Sequence, residues 1–101
     1  MRVAHFEQAD KAMKRKEEYE ASILKVIETL KQVQADMAAP KSVKKLVKEA
    51  TDVLAKENTT VGVRAASAVQ LLEEANQDTN LPMLSRTRIW NALTLLEKIK
   101  D

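Results

Sequence analysis

The sequence predicts an all-α domain: four antiparallel helices arranged as two similar helical hairpins in a compact bundle. Three observations carry that expectation. One glycine and two prolines in 101 residues leave little material for turns, so long helices joined by short loops are implied. Apolar residues recur at spacings of three and four along most of the chain, the mark of one buried helical face. Finally, Pro82 follows Pro40 by forty-two positions, and each opens a new amphipathic stretch, as if one structural mark were used twice.

The domain reading divides the chain into residues 1–18, an N-terminal extension that is helical or flexible, and residues 19–101, the four-helix domain. In the extension Val3, Phe6 and Met13 can share a helical face, but Lys14-Arg15-Lys16-Glu17-Glu18 then interrupts any apolar stripe. Met13 also offers an alternative start, which would leave residues 1–12 as an added lead.

From Tyr19 the pattern is regular. Tyr19, Ile23, Val26, Ile27, Leu30, Val33 and Met37 mark the buried face of a first helix ending near Ala38. Pro40 lacks a backbone donor and so fits the first turn of a second helix, where that donor would be unpaired anyway. Val43, Leu46, Val47, Ala50, Val53 and Leu54 face inward on this helix, and Asn58-Thr59-Thr60 ends it. Either threonine can cap a third helix that starts near Val61 and buries Val61, Ala65, Ala68, Val69, Leu72 and Ala75. Its small residues allow close approach of a neighbour. A fourth helix runs from about Pro82 to Lys100, with Ile89, Trp90, Leu93, Leu96 and Ile99 inside. Ile89 and Trp90 would anchor it, so Trp90→Ala is expected to cost ~3–5 kcal/mol. An exposed Trp90 would instead be the best candidate for a binding hot spot.

Sliding the chain against itself by forty-two positions places Leu30 on Leu72, Asp36 on Asp78, Pro40 on Pro82, Ala50 on Ala92, Leu54 on Leu96 and Lys56 on Lys98. Ile27 with Val69, Val47 with Ile89 and Val53 with Leu95 are conservative matches. A period near forty with two helices per unit, together with Val63-Arg64-Ala65-Ala66-Ser67-Ala68, is similar to HEAT-type repeats. Two units are too few for an open solenoid, so a compact HEAT-like pair is expected.

Composition argues against several kinds of chemistry. Without cysteine there are no disulfides and no thiolate metal sites. The single histidine, His5, has no partner in sequence for base catalysis, and no Glu-x-x-His pair of the kind used in helical bundles is present. One glycine precludes a glycine-rich phosphate loop. The adjacent acids Glu17-Glu18 and Glu73-Glu74 point in different directions on a helix. The expectation is a chain that is not an enzyme and takes no metal or cofactor. No apolar run approaches the roughly eighteen residues of a membrane span, and the charged N-terminus lacks a hydrophobic signal core, so a cytoplasmic protein is expected.

What remains is binding. Lys41, Lys44, Lys45 and Lys48 cluster on adjacent faces of the second helix, and Arg86 and Arg88 take the corresponding place in the second unit. These six are the candidate interaction residues. Arginine suits fixed, bidentate contacts to carboxylate or phosphate. Either Arg64 or Arg86 is expected to clamp a loop, for example by pairing with Asp78 or Glu74, leaving Arg88 for a partner. Asp36, Pro40, Arg64, Asp78, Pro82 and Trp90 are assigned structural roles, the two aspartates shaping the turns before each proline. A net charge of only +2 reads as a solvated helical surface. Fourteen alanines make the core of larger side chains thin, so covering an apolar face would help the fold. The functional expectation is a non-catalytic protein-interaction or scaffold module with a protein partner, self-association included. The alternative is an RNA- or ribosome-associated accessory protein using the basic helix around Lys41–Lys48.

One family resemblance follows from the segments Asp36-Met-Ala-Ala-Pro40-Lys-Ser-Val-Lys, Val63 to Ala68, Asp78-Thr-Asn-Leu-Pro82 and Ser85-Arg86-Thr87-Arg88-Ile89-Trp90-Asn91. From Tyr19 to Ile99 the chain resembles uncharacterised protein family 0147, a group of small archaeal proteins, with residues 1–17 as an addition. The resemblance implies an all-helical, cytoplasmic archaeal protein. It implies no activity.

Overall fold

In the computed structural model the chain folds as α1 (Arg2–Gln34), α2 (Lys41–Leu54), α3 (Val61–Ala75) and α4 (Met83–Leu96). The structure describes the backbone of residues 2–101 and the side chains of residues 14–101; Val3, His5, Phe6 and Met13 lie outside the described side chains. Among the described residues there is no strand.

Neighbouring helices form a closed ring. α2 packs on α1 and on α3, α4 packs on α3 and on α1, and α2 and α4 occupy opposite corners without touching. In a stacked solenoid the second helices of successive hairpins would lie side by side; here the ring closes into an all-α bundle. The most extensive of these interfaces joins α2 to α3. There α3 offers Ala65, Ala68 and Ala75, where the equivalent face of α1 carries Ile23, Val26 and Val33. Small side chains let the two helices come together closely.

The forty-two-residue repeat is visible as burial. Leu30 and Leu72, Val47 and Ile89, Ala50 and Ala92, and Leu54 and Leu96 are all buried, and all belong to one core. Ile27 and Val69, and Val53 and Leu95, are half-buried in matching positions. The core fills from Tyr19 onward, while Lys14 to Glu18 are exposed on the preceding turns of α1. That helix runs unbroken through residues 14–19.

The helix starts repeat as well. Pro40 has φ −60° and ψ 148°, and Pro82 has φ −59° and ψ 147°. Both prolines stand at the N-cap, one residue before the first turn expected for them. Their carbonyls accept the first helical bonds, from Lys44 N at 3.0 Å and Arg86 N at 2.9 Å. Thr60 caps α3, its hydroxyl oxygen accepting from Val63 N at 3.3 Å.

Three expectations need correction. α1 stops at Gln34 rather than near Ala38, because the Asp36 carboxylate captures Ala38 N at 2.9 Å and turns the chain. Met37 therefore leaves the helical face and is 94% exposed. α4 ends at Leu96, and Ile99 is buried from the turn that follows it. The third concerns Trp90: it is 57% exposed and does not anchor α4. Around the helix it lies about 100° from Ile89, beside the buried stripe of Ser85, Ile89, Ala92, Leu93 and Leu96 rather than on it.

Candidate functional site

The α1–α2 and α3–α4 loops lie at the same end of the bundle and brace each other. Each begins with an aspartate whose Oδ1 accepts a backbone N–H two residues on: Ala38 for Asp36, and Asn80 for Asp78 at 2.8 Å. The other carboxylate oxygen of each reaches across to the opposite hairpin. Ser85 Oγ, fully buried in the first turn of α4, donates to Asp36 Oδ2 at 2.6 Å. Ser42 Oγ, in the first turn of α2, donates to Asp78 Oδ2 at 3.4 Å. Each aspartate thus serves its own turn and places negative charge near the positive end of the other hairpin's helix. The turn-shaping role was legible in sequence. The crossing was not, because it needs residues forty-nine and thirty-six positions away.

The Ser85 hydroxyl, and then the Ala38 N–H, hold the Asp36 carboxyl below its usual range; Lys44 and Arg88 add to this, against a partial desolvation that opposes it.

Of the two arginines, one of which was expected to clamp a loop, Arg86 reaches the expected Asp78 through its backbone carbonyl, and Arg64 ties the end of α2 to α1. Arg86 donates through Nη1 to the Asn76 carbonyl at 2.6 Å and through Nη2 to the Asp78 carbonyl at 2.8 Å. It therefore closes the α3–α4 loop through two backbone carbonyls and, at 3.3 Å, the Asn76 Oδ1, not through the Asp78 or Glu74 carboxylates. Buried Arg64 donates to the Leu54 carbonyl at 3.3 Å and forms an ion pair with Glu20 of α1. Each is the fourth residue of its helix and satisfies a carbonyl ten residues earlier, at the end of the preceding helix. Glu20 adjoins Tyr19 at the start of the apolar stripe, but its distance of forty-four positions from Arg64 gives no local signal.

The candidate interaction residues do not converge on one surface. Lys41, Lys45 and Lys48 are exposed on α2, where Lys48 pairs with Asp52 at 3.1 Å. Lys44, Arg86 and Arg88 are half-buried. Only Lys44 and Arg88 meet, through Asp36 at the braced end. Arg88 makes no hydrogen bond or ion pair among the described residues, and it borders a shallow groove with Gln32, Ala35, Asp36, Pro82 and Leu84. At the opposite end Asp101 receives the Thr60 hydroxyl and the Gly62 N–H, both at 2.8 Å, and so caps α3. That close approach suits glycine, since a Cβ there would come within 2.6 Å of the carboxylate. Among the described residues no three His, Cys, Asp or Glu side chains are placed to hold a metal ion, and no helix is long and apolar enough to cross a membrane.

What the sequence did not announce is the outer face of α4. Met83 is 76% exposed, Leu84 60% and Trp90 57%. The repeat supplies an internal control. In α2 the equivalent positions hold Lys41, Ser42 and Lys48, all exposed. Two helices of fourteen residues, started by prolines of the same geometry, thus meet solvent with opposite chemistry.

The class is defined by this architecture: a small all-α bundle built from two alike helical hairpins, cross-braced at one end. Within that class, the chain belongs to the uncharacterised protein family UPF0147, whose family model matches residues 9–99. The match begins ten residues before Tyr19, so only residues 1–8 of the apparent N-terminal addition fall outside it. Archaeal relatives include the UPF0147 protein of Desulfurococcus amylolyticus, 37% identical over 82 residues that cover 81% of this chain and 90% of the relative. The UPF0147 protein TK2131 of Thermococcus kodakarensis is 39% identical over 79 residues, covering 77% of this chain and 95% of its own. A crystal structure described as the unknown function protein MMP1188 superposes with a TM-score of 0.75 at 29% identity, over 79% of this chain and 91% of that one.

Proposed function

We propose that the chain is a non-catalytic protein-docking module, cytoplasmic, whose working surface is the outer face of α4. One observation carries the reading: Met83, Leu84 and Trp90 are exposed where the equivalent helix of the same fold has Lys41, Ser42 and Lys48. The bundle tolerates polar side chains at those positions, so folding alone does not account for the apolar ones. An exposed tryptophan beside methionine is the composition of a binding hot spot, with a large rigid ring and an adaptable neighbour. Apolar surface of this kind is maintained at a cost in solubility, which a partner would offset.

The test exchanges the two helices' surfaces. A variant carrying Met83→Lys, Leu84→Ser and Trp90→Lys should fold as the wild type does and lose its partners. Both proteins are immobilised, exposed to native extract, and the retained proteins quantified by mass spectrometry. Sedimentation velocity of each covers self-association. The expected outcome is a set of proteins, or a self-associated species, present with wild type and depleted with the variant. Identical retained sets together with identical sedimentation would sink the proposal.

A further inference from the structure

We propose that the α4 face receives an acidic, amphipathic segment of another protein, its apolar side chains lying on Met83, Leu84 and Trp90 and its carboxylates turned toward Arg88; this inference rests on the docking role of α4. The argument is one of charge. Between Asp78 and Glu97 the chain has no acidic residue, and its charges are Arg86 and Arg88 alone. The matching helix α2 has Glu49 and Asp52 in its outward positions, and α4 has Asn91 and Thr94 in their place. The surface that gained apolar side chains therefore also lost both its acids. At the position of half-buried Leu46 in α2 stands Arg88 in α4.

The two arginines are not equivalent. The Arg86 guanidinium is engaged with the Asn76 and Asp78 carbonyls. Arg88 has its donors uncommitted among the described residues and faces the groove between the end of α1 and the start of α4. The acid nearest to it, Asp36, already accepts from Ser85 and Ala38 N, so it does not use up the guanidinium fork. Arg88 lies one turn after Leu84 at one edge of the outer face, with Met83 and Trp90 toward the other edge, and a planar, unengaged guanidinium there is matched by an incoming carboxylate. The strip itself is matched by apolar side chains spaced at helical intervals, the helix-in-groove mode of recognition. Met83 on the strip and Met37, fully exposed in the adjoining loop, can adjust their shape to such side chains.

Nucleic acid fits this surface less well. A base can stack on Trp90, but phosphates need several cations beside it. The candidate lysines Lys41, Lys45 and Lys48 stand on α2, diagonally across the ring from α4 and out of contact with it, and the α4 segment itself carries no lysine before Lys98.

Trp90, the single tryptophan of the chain, provides a reporter at the proposed site itself. Its emission is followed while three probes are titrated into the full chain. These are a 16-residue peptide of leucine at helical spacing with glutamate elsewhere, the same peptide with lysine for glutamate, and a single-stranded RNA 12-mer. The acidic peptide should give a saturable blue shift and bind at least about tenfold more tightly than the basic one. Arg88→Glu should weaken it by about tenfold or more, with the far-UV spectrum unchanged. Met83→Lys with Leu84→Ser should abolish the shift while leaving Trp90 to report. Equal binding of both peptides, abolished in that double variant, would overturn the charge preference and leave the docking role standing. Acidic-peptide binding unaffected by the double variant would overturn both. A shift with RNA alone, or with none of the probes, would overturn the acidic-segment proposal.

Discussion

α2 and α4 are similar helices with different outer faces. Each has fourteen residues, each follows a proline at the N-cap, and each buries alanine and leucine at matching positions. Their outer faces differ: lysine, glutamate and aspartate on α2, against methionine, leucine, threonine, asparagine and tryptophan on α4. One fold thus contains both the ordinary solution, a wet charged face, and a departure from it. Under the proposed docking role, the departure reflects what α4 meets outside the bundle.

The sharpest way to break this comparison is to separate two adjacent residues of α4. Ile89 is fully buried and Trp90 is mostly exposed. Ile89→Ala should cost ~3–4 kcal/mol, within the range for emptying a buried aliphatic site. Trp90→Ala should cost less than ~1 kcal/mol, as surface substitutions do. Urea unfolding followed by circular dichroism measures both. A loss above ~2 kcal/mol for Trp90→Ala would place the ring against the core and remove the contrast between the helices.

A second difference lies in the fourth residue of each helix. Arg86 ties α4 to the preceding loop, whereas the Lys44 side chain at the same position in α2 makes no hydrogen bond or ion pair among the described residues and acts on Asp36 through its charge. Arg86→Ala should lose about 1–2 kcal/mol, from charge-assisted bonds to two carbonyls. Lys44→Ala should fall within about 0.5 kcal/mol of wild type. Equal effects would mean that the clamp adds nothing to the helix start.

Much of this was legible before any coordinates. The helix count, the two prolines as helix starts, Thr60 as a cap and nearly all of the core follow from periodicity, because burial of one helical face is written locally. The turn roles of Asp36 and Asp78 are local too. The misreadings share one physical cause. A helix position beside the buried stripe can face in or out, and the choice depends on which neighbours are near. Trp90 adjoins Ile89 in sequence but lies about 100° around the helix, and its size made burial the default. The end of α1 depended on whether Asp36 bonded the backbone or let the helix continue, and the sequence favours neither strongly. The partners of Arg64 and the crossing of Asp36 to Ser85 depend on how the hairpins are set against each other, which no spacing within one helix records.

The crossing itself yields a pH prediction. The Asp36 carboxyl is held below its usual range by Ser85 first and then by Ala38 N. Because its folded-state value is depressed, its contribution to stability is present above the unfolded carboxylate value and is lost as pH falls through the folded one. Ser85→Ala removes the largest cause. The Asp36 carboxyl should then titrate closer to its usual range, as NMR of the side chain would show. The stability gap between wild type and variant should be constant at neutral pH and narrow in acid. A gap that widens in acid would mean that Ser85 does not hold the ionised carboxylate.

The smallest expected effect on stability belongs to the exchange that tests the proposed docking role. Putting Lys at 83, Ser at 84 and Lys at 90 gives α4 the outer residues that α2 already carries. These positions are exposed, and lysine is as good a helix former as methionine, so unfolding should shift by no more than ~0.5 kcal/mol. Solubility should rise, since an apolar strip is replaced by charge. A loss of several kcal/mol would show that Met83, Leu84 and Trp90 support the fold, and the contrast between α2 and α4 would then be one of packing. Unchanged stability with a changed set of partners would locate the difference outside the bundle.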